Sequence, residues 1–270
     1  MRSATNNQKL YGNFIWAISG FLVVVMTGSL VAQTPDVPNT PRIDTTEEAS
    51  EQTGFQSFDE EKPPEPVISD ELAKQRGWTR LTPTDQVWVD KKNKRVIVGG
   101  AVCHREGPLE MFACPPHTKE YESVVVVYSK AFAVHAGLLA IGAKPGKPVT
   151  FVPSYVAASG ATIEVKVAWR NSEGKQQQTR AQEWIRDSKT QQPMTHDWVF
   201  GGSRFWVDEE TGERRYSAEG GDFICVSNFS SATLDLPIES SQSNEGLLFD
   251  ALTESIPPVG TPVLLVLSVK

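Results

Sequence analysis

Apolar and polar residues alternate in short runs along most of the chain, and runs of period two outnumber those of helical period. Gln86 to Asp90 (QVWVD) and Arg95 to Cys103 (RVIVGGAVC) flank a KKNK turn and predict a β-hairpin. A turn at Glu106 to Pro108 and a run from Leu109 to Ala113 extend it to a three-stranded meander, with Gly99 and Gly100 marking a bulge or a close backbone approach. Ser123 to Tyr128 is apolar on both faces and predicts a fully buried strand. The run then changes period. Phe132, Ala133, Ala136 and Leu138 to Ile141 cover most of a helix circumference, which predicts a buried helix at about 129–142 with Ser129 as N-cap and Gly142 as C-cap. Leu72 to Trp78 predicts a short helical turn ended by Gly77. Further strands are predicted at Val149 to Val152, Thr162 to Trp169, Gln176 to Arg186, Asp197 to Phe200, Arg204 to Val207 and Asp222 to Ser227, with a central one at Pro262 to Val269. Leu247 to Leu252 reads as one or two helical turns. The pattern predicts an α+β fold with a mainly antiparallel β-sheet, one buried helix and at most a second short one. No series of alternating strands and helices marks a nucleotide-binding fold.

The first 70 residues follow another pattern. Residues 1–13 are polar and carry Arg2 and Lys9, Phe14 to Val31 run apolar, and small residues follow. This is the layout of a signal peptide, with Ala32 or Ser29 at the cleavage point, or of an uncleaved signal-anchor whose membrane contact is residues 14–31. No cysteine is present for a lipid anchor. Both readings export the remainder to a periplasmic or other extracytoplasmic space, secreted or anchored. Residues 33–70 hold ten acids against Arg42 and Lys62, with many Pro, Ser and Thr and few large apolar residues. Such a segment cannot offset its ordering entropy by burial and is expected to be a disordered linker. The expected organisation is therefore 1–32 signal or anchor, 33–70 linker and 71–270 a single domain. The chain carries a formal charge of −7. The linker alone carries −8, which leaves the domain near neutral, and no basic stripe points to nucleic acid.

Candidate chemistry gathers in Cys114 to Gly142. Cys114 and His117 have C-x-x-H spacing, and His135, with Cys103 and His104, lies within reach of joining them in a zinc or copper site. Structural zinc sites usually show two close ligand pairs, and only one is present here. A catalytic reading takes Ser123 as nucleophile, His135 as base and Glu122 as orienter, although no nucleophile elbow surrounds Ser123. The plainer alternatives are an ion pair of Lys119 with Glu120 or Glu122, and a helix histidine bonded to backbone or to Glu122. Cys103 and Cys114 are close enough in the predicted meander to raise the question of a disulfide, whereas Cys225 reads as a small core residue. Asp222, Asn228, Asp235, Glu239, Ser240 and Asn244 offer oxygen ligands for calcium without any EF-hand spacing, and the same residue types make ordinary turns. FWVDEETGERRY at 205–216 echoes VWVDKKNKRVIV at 87–98, as two hairpins with the same turn chemistry would.

GPLEMFACPPHTKEYES at 107–123, HAGLLAIGAKPG at 135–146, WVFGGSRF at 198–205 and GGDFICVSNFSSATLDLPIESS at 220–241 resemble the YdjY-type domain of exported bacterial proteins, common in planctomycetes. The resemblance covers roughly residues 75–268. It implies an exported domain of a family with no established activity. The three cysteines lack the clustering of an iron–sulfur site, so a ferredoxin reading of that family does not carry over. Tyr121 stands where many relatives have His, which weakens any shared chemistry that used that histidine. The expected function is an exported cell-envelope module with a binding or structural role, acting on an envelope partner or a small ligand. The alternative is an envelope metalloprotein or metal-dependent enzyme using Cys114, His117 and His135.

Overall fold

The computed structural model describes residue 65 and residues 67–241 and 246–270. The signal or anchor segment, nearly all of the linker and Asn244 lie outside the described residues. In chain order, α1 (Asp70–Gln75) precedes β1 (Thr79–Arg80), β2 (Val87–Asp90), β3 (Arg95–Val102), β4 (Met111–Cys114) and β5 (Ser123–Val127). Next come α2 (Ala131–Ala140), β6 (Thr162–Arg170), β7 (Gln176–Arg180), β8 (Ile185–Asp187), β9 (Trp198–Phe200), β10 (Phe205–Val207) and β11 (Arg214–Tyr216). The last strands are β12 (Ile224–Cys225), β13 (Leu234–Asp235), β14 (Phe249–Ala251) and β15 (Pro262–Val269).

The architecture is mostly β, as the alternation predicts, but the main sheet closes on itself. Its order β3–β15–β6–β9–β13–β12–β4–β5 returns to β3 and makes an eight-stranded barrel. All seams are antiparallel except β12–β13 and β4–β5, which are parallel. The predicted terminal strand is central: β15 pairs with β3 along one edge and β6 along the other. The alternation predicts neither the closure nor the path of β4. The meander fails because both edges of β3 are already taken. One edge holds β15, and the other is shared, with β2 opposite Arg95 to Val98 and β5 opposite Gly100 to Val102. Gly99 and Gly100 sit at the exchange point. A Cβ on Gly100 would lie 2.3 Å from the Val126 carbonyl oxygen, so the predicted close backbone approach is real.

The barrel interior is filled by inward positions of the long strands, among them Val96, Val98, Val165, Val167, Val263, Leu265 and Leu267, with Phe112, Trp184, Trp198 and Phe200. On the outer face, Trp88 and Ile97 are covered by Ile68 and by Ala73 of α1, which Ser69 caps through Leu72 N–H. VWV in β2 is therefore buried on both faces. The core helix is shorter and less buried than predicted. Val134 and Leu138 join the core, whereas Phe132 and Leu139 are both about half exposed. Its C-terminus follows prediction, with Gly142 at φ 89° and Ala143 N–H returning to Leu138 C=O. Its N-terminus does not. Ser129 makes no cap; Lys130 N–H goes to Asp85, and the Glu219 carboxylate accepts Ala131 and Phe132 N–H at 3.1 and 2.9 Å. Val149 to Val152 forms no strand, only a Thr150 to Val156 bridge. Leu247 to Leu252 is not helical: it contains β14, paired with β8. Among the described residues no helix is long and apolar enough to cross a membrane.

Candidate functional site

The stretch from Cys114 to Gly142 joins the barrel wall to α2, but its chemical groups disperse. Cys114 ends β4 with its side chain fully buried, and burial pushes its thiol pKa up. Pro115 and Pro116 turn the chain outward, so His117 is exposed, at φ 61°. The Glu120 carboxylate takes the N–H groups of His117 and Thr118, which fixes this turn. Ser123 is fully buried at the start of β5. Its carbonyl accepts from the Cys103 thiol at 3.0 Å, and burial, with Cys114 near by, raises the Cys103 pKa to about 12. Cys103, Cys114 and Cys225 are free thiols.

Glu122 belongs to an ion cluster. Lys119 Nζ lies 3.1 Å from Asp222, 3.3 Å from Glu110 and 3.6 Å from Glu122, and sits over the Phe229 ring at 4.2 Å. Desolvation pulls the lysine pKa down, but Asp222, Glu110 and Glu122 outweigh it and the net shift is upward. Desolvation and then Glu110 raise the Glu122 pKa. The cluster ties the KEYES turn to the GGD turn before β12, which is a structural use of both motifs. The expected Lys119–Glu122 pair is present, within a larger group than the sequence showed.

His135 makes neither a metal pair nor a bond to Glu122. Its Nδ1 lies 2.9 Å from the Tyr216 hydroxyl, which in turn reaches Gly202 C=O at 3.2 Å and Thr233 Oγ1 at 3.1 Å. Burial lowers the His135 pKa, which favours the neutral ring. Glu122 and His135 thus engage different partners, and the buried Ser123 hydroxyl bonds to neither of them. Cys114, His117 and His135 are likewise not gathered, and among the described residues no three His, Cys, Asp or Glu side chains converge as metal ligands. Nor do the calcium candidates ring a site. Asp222 serves Lys119, while Asn228 donates to Asp235 at 2.9 Å and accepts from Tyr155 OH and Ser240 N–H.

A different concavity is built around the same helix. The β10–β11 hairpin lies on the α2 N-terminus through Phe205 and Tyr216, whose ring centres are 5.6 and 5.8 Å from that of Phe132. Beside it opens a groove of about 830 Å³, lined by Lys130, Phe132, Phe205, Trp206, Glu219 and the run Glu213 to Ser217. A recess of about 370 Å³, lined by Pro115, Pro116 and Tyr128, shares Lys130 and Glu219 with it. Trp206 is 47 % exposed, and the Arg214 guanidinium stacks 4.0 Å over Phe205. Glu219 is engaged by the helix N–H groups, and Arg215 by Asp208 and Glu213. Lys130 and Arg214 have no carboxylate partner among the described residues, which leaves the groove with two free cations beside aromatic faces. Sequence reasoning missed these residues. The available signal was FWV in a short hairpin, three large apolar side chains in a row that need cover on both faces.

These features define a closed β-barrel domain with an aromatic groove on its side. Residues 87–268 match the family model of the YdjY domain, and the chain belongs to that family. No curated protein and no solved structure matches it.

Proposed function

We propose that the protein is an exported cell-envelope binding module whose ligand seats in the groove between β10–β11 and α2. The observation that carries this reading is the placement of Phe205, Trp206 and Phe132, exposed beside the cations Lys130 and Arg214 in a groove of about 830 Å³. A ligand with an acidic group and a flat or extended body suits such a wall. Export rests on the charged, then apolar, then small-residue layout of residues 1–32. The metal-dependent alternative lacks comparable support, since Cys114 is buried and His117 faces away into solvent.

The test uses the full chain and two anionic probes, an alternating Glu-Val peptide and an oligogalacturonate, followed by tryptophan fluorescence. At least one probe is expected to bind and to lose its signal in Trp206→Ala, with weaker binding in Lys130→Ala. A chain whose fluorescence responds to neither probe, or equally with and without Trp206, has no ligand site in this groove. A phosphatase fused after residue 70 should be active only outside the cytoplasm, and activity confined to unexported protein would remove the envelope assignment.

A further inference from the structure

Building on that groove, we infer that its ligand is an acidic, extended peptide segment of a partner protein, which adds to β11 as a third strand. Ser217 N–H donates to Arg204 C=O and Asp208 N–H to Glu213 C=O, both at 2.9 Å. The register places Phe205 opposite Tyr216, Trp206 opposite Arg215 and Val207 opposite Arg214. Bonded and non-bonded pairs alternate in an antiparallel ladder, so Trp206 and Arg215 spend their main-chain groups inside the hairpin. Arg214 then points its N–H and C=O outward and Tyr216 its N–H, the Tyr216 C=O being taken by the 3-10 turn Ser217–Gly220 that it caps, on an edge that pairs with no other strand among the described residues. The groove follows this edge, since Glu213 to Ser217 line it without a gap.

An open edge is normally blunted by a charge, a proline or a covering element, because it templates pairing with another chain. Here the edge carries Arg214, which like Lys130 has no carboxylate partner among the described residues, and Phe132 lies in the same lining against the Phe205 and Tyr216 rings. Glu213 and Glu219 in the same lining are engaged by Arg215 and by the α2 N–H groups, so the two unpaired cations favour an acidic segment over a basic one. An extended peptide satisfies the outward N–H and C=O groups in alternation, and its side chains fall by turns on the Phe132 wall and on solvent. A sugar chain has no such alternating donor and acceptor spacing, so the edge favours peptide over acidic glycan. The recess by Pro115, Pro116 and Tyr128 prolongs the trench beyond the hairpin, as a segment of several residues requires.

The experiment uses the full chain with three probes: a ten-residue Glu-Val alternating peptide, the same peptide N-methylated at every second amide, and an oligogalacturonate. The expected result is binding of the first peptide with slowed hydrogen exchange at the Arg214 and Tyr216 amides, and loss of binding in the methylated one. Arg214→Ala should weaken binding about fivefold, and Arg214→Pro, which also removes an outward donor that the hairpin does not use, about tenfold more. The methylated peptide acts on unaltered protein, so the conclusion stands even where the proline variant disturbs the hairpin. Equal binding of both peptides, or unchanged exchange at Arg214 and Tyr216, overturns strand addition. Binding of the oligogalacturonate alone, abolished by Trp206→Ala, overturns the peptide ligand but leaves the groove as a binding site. No binding of any probe overturns both.

Discussion

Asp235 is a carboxylic acid placed where water does not reach. Its Oδ1 accepts from Asn228 at 2.9 Å and from Leu236 N–H at 2.8 Å, while Oδ2 has no partner among the described residues. Burial raises its pKa to about 7 from an ordinary 3.8, hydrogen bonding offsetting only part of the cost. Between those values the folded chain holds a proton that the unfolded chain has released. The stabilisation is complete below about pH 3.8 and is lost as pH rises through about 7. Asp235→Asn keeps the shape and cannot ionise. Its unfolding free energy should lack this decline, which is worth at most ~4 kcal/mol in the parent. Urea denaturation at pH 4.5, 6 and 7.5 measures it, and an identical decline in parent and variant would assign the pH dependence to other groups. Lys119 shows the opposite solution at the same scale, a partly buried charge surrounded by more opposite charge than it needs. Such a cluster looks like catalytic machinery in a sequence, since Lys, Glu and Ser crowd one turn, yet the geometry spends Lys119 and Glu122 on holding two turns together and Glu120 on fixing its own.

At the scale of elements, the same three-residue pattern meets two fates. VWV in β2 has the barrel core on one side and α1 on the other, and all three residues are buried. FWV in β10 lies outside the barrel beside the α2 N-terminus, and all three are exposed. Both hairpins turn on an aspartate that accepts turn N–H groups, Asp90 from Asn93 and Asp208 from Glu210 and Thr211. The local chemistry is shared, and the cover differs. The barrel's closing seam depends on a smaller detail. At Gly100 the β3 backbone passes so near β5 that an added Cβ meets main chain, whereas at Gly99 it meets the Gln86 side chain first, at 2.5 Å. Main chain cannot swing aside. Gly100→Ala should therefore cost about 1–3 kcal/mol, and Gly99→Ala less. Hydrogen exchange should quicken at Val127 and Tyr128, next to the seam, while the β15–β6 ladder keeps its protection. Loss of protection spread evenly over the barrel would show that the seam does not open by itself.

Over the whole molecule, what could be read from the sequence was what is local. Strands β2, β3, β5, β6 and β15 carry their pattern within four to nine residues, and the hairpin at Asp90 carries its own turn. Closure is not local. The seam between β3 and β15 joins Arg95 to Ser268, and β12 and β13, with two residues each, are too short to show any period. The family phrases were legible because they are long, but the ion cluster they form depends on Glu110 and Asp222 meeting across the barrel wall. The groove was illegible for the same reason: whether FWV is core or wall is set by what α1 and α2 cover. This division between a closed core and an uncovered hairpin makes a final prediction. Leu265 is fully buried in the most central strand, so Leu265→Ala should remove about 2–5 kcal/mol of stability. Trp206, half exposed on a hairpin outside the barrel, should change stability by no more than about 0.5 kcal/mol when replaced by Ala, while abolishing probe binding. Thermal unfolding and fluorescence titration on the two variants separate these effects. If Trp206→Ala destabilised as much as Leu265→Ala, the hairpin would be part of the folding core, and its exposed aromatics would owe their place to stability and not to a ligand.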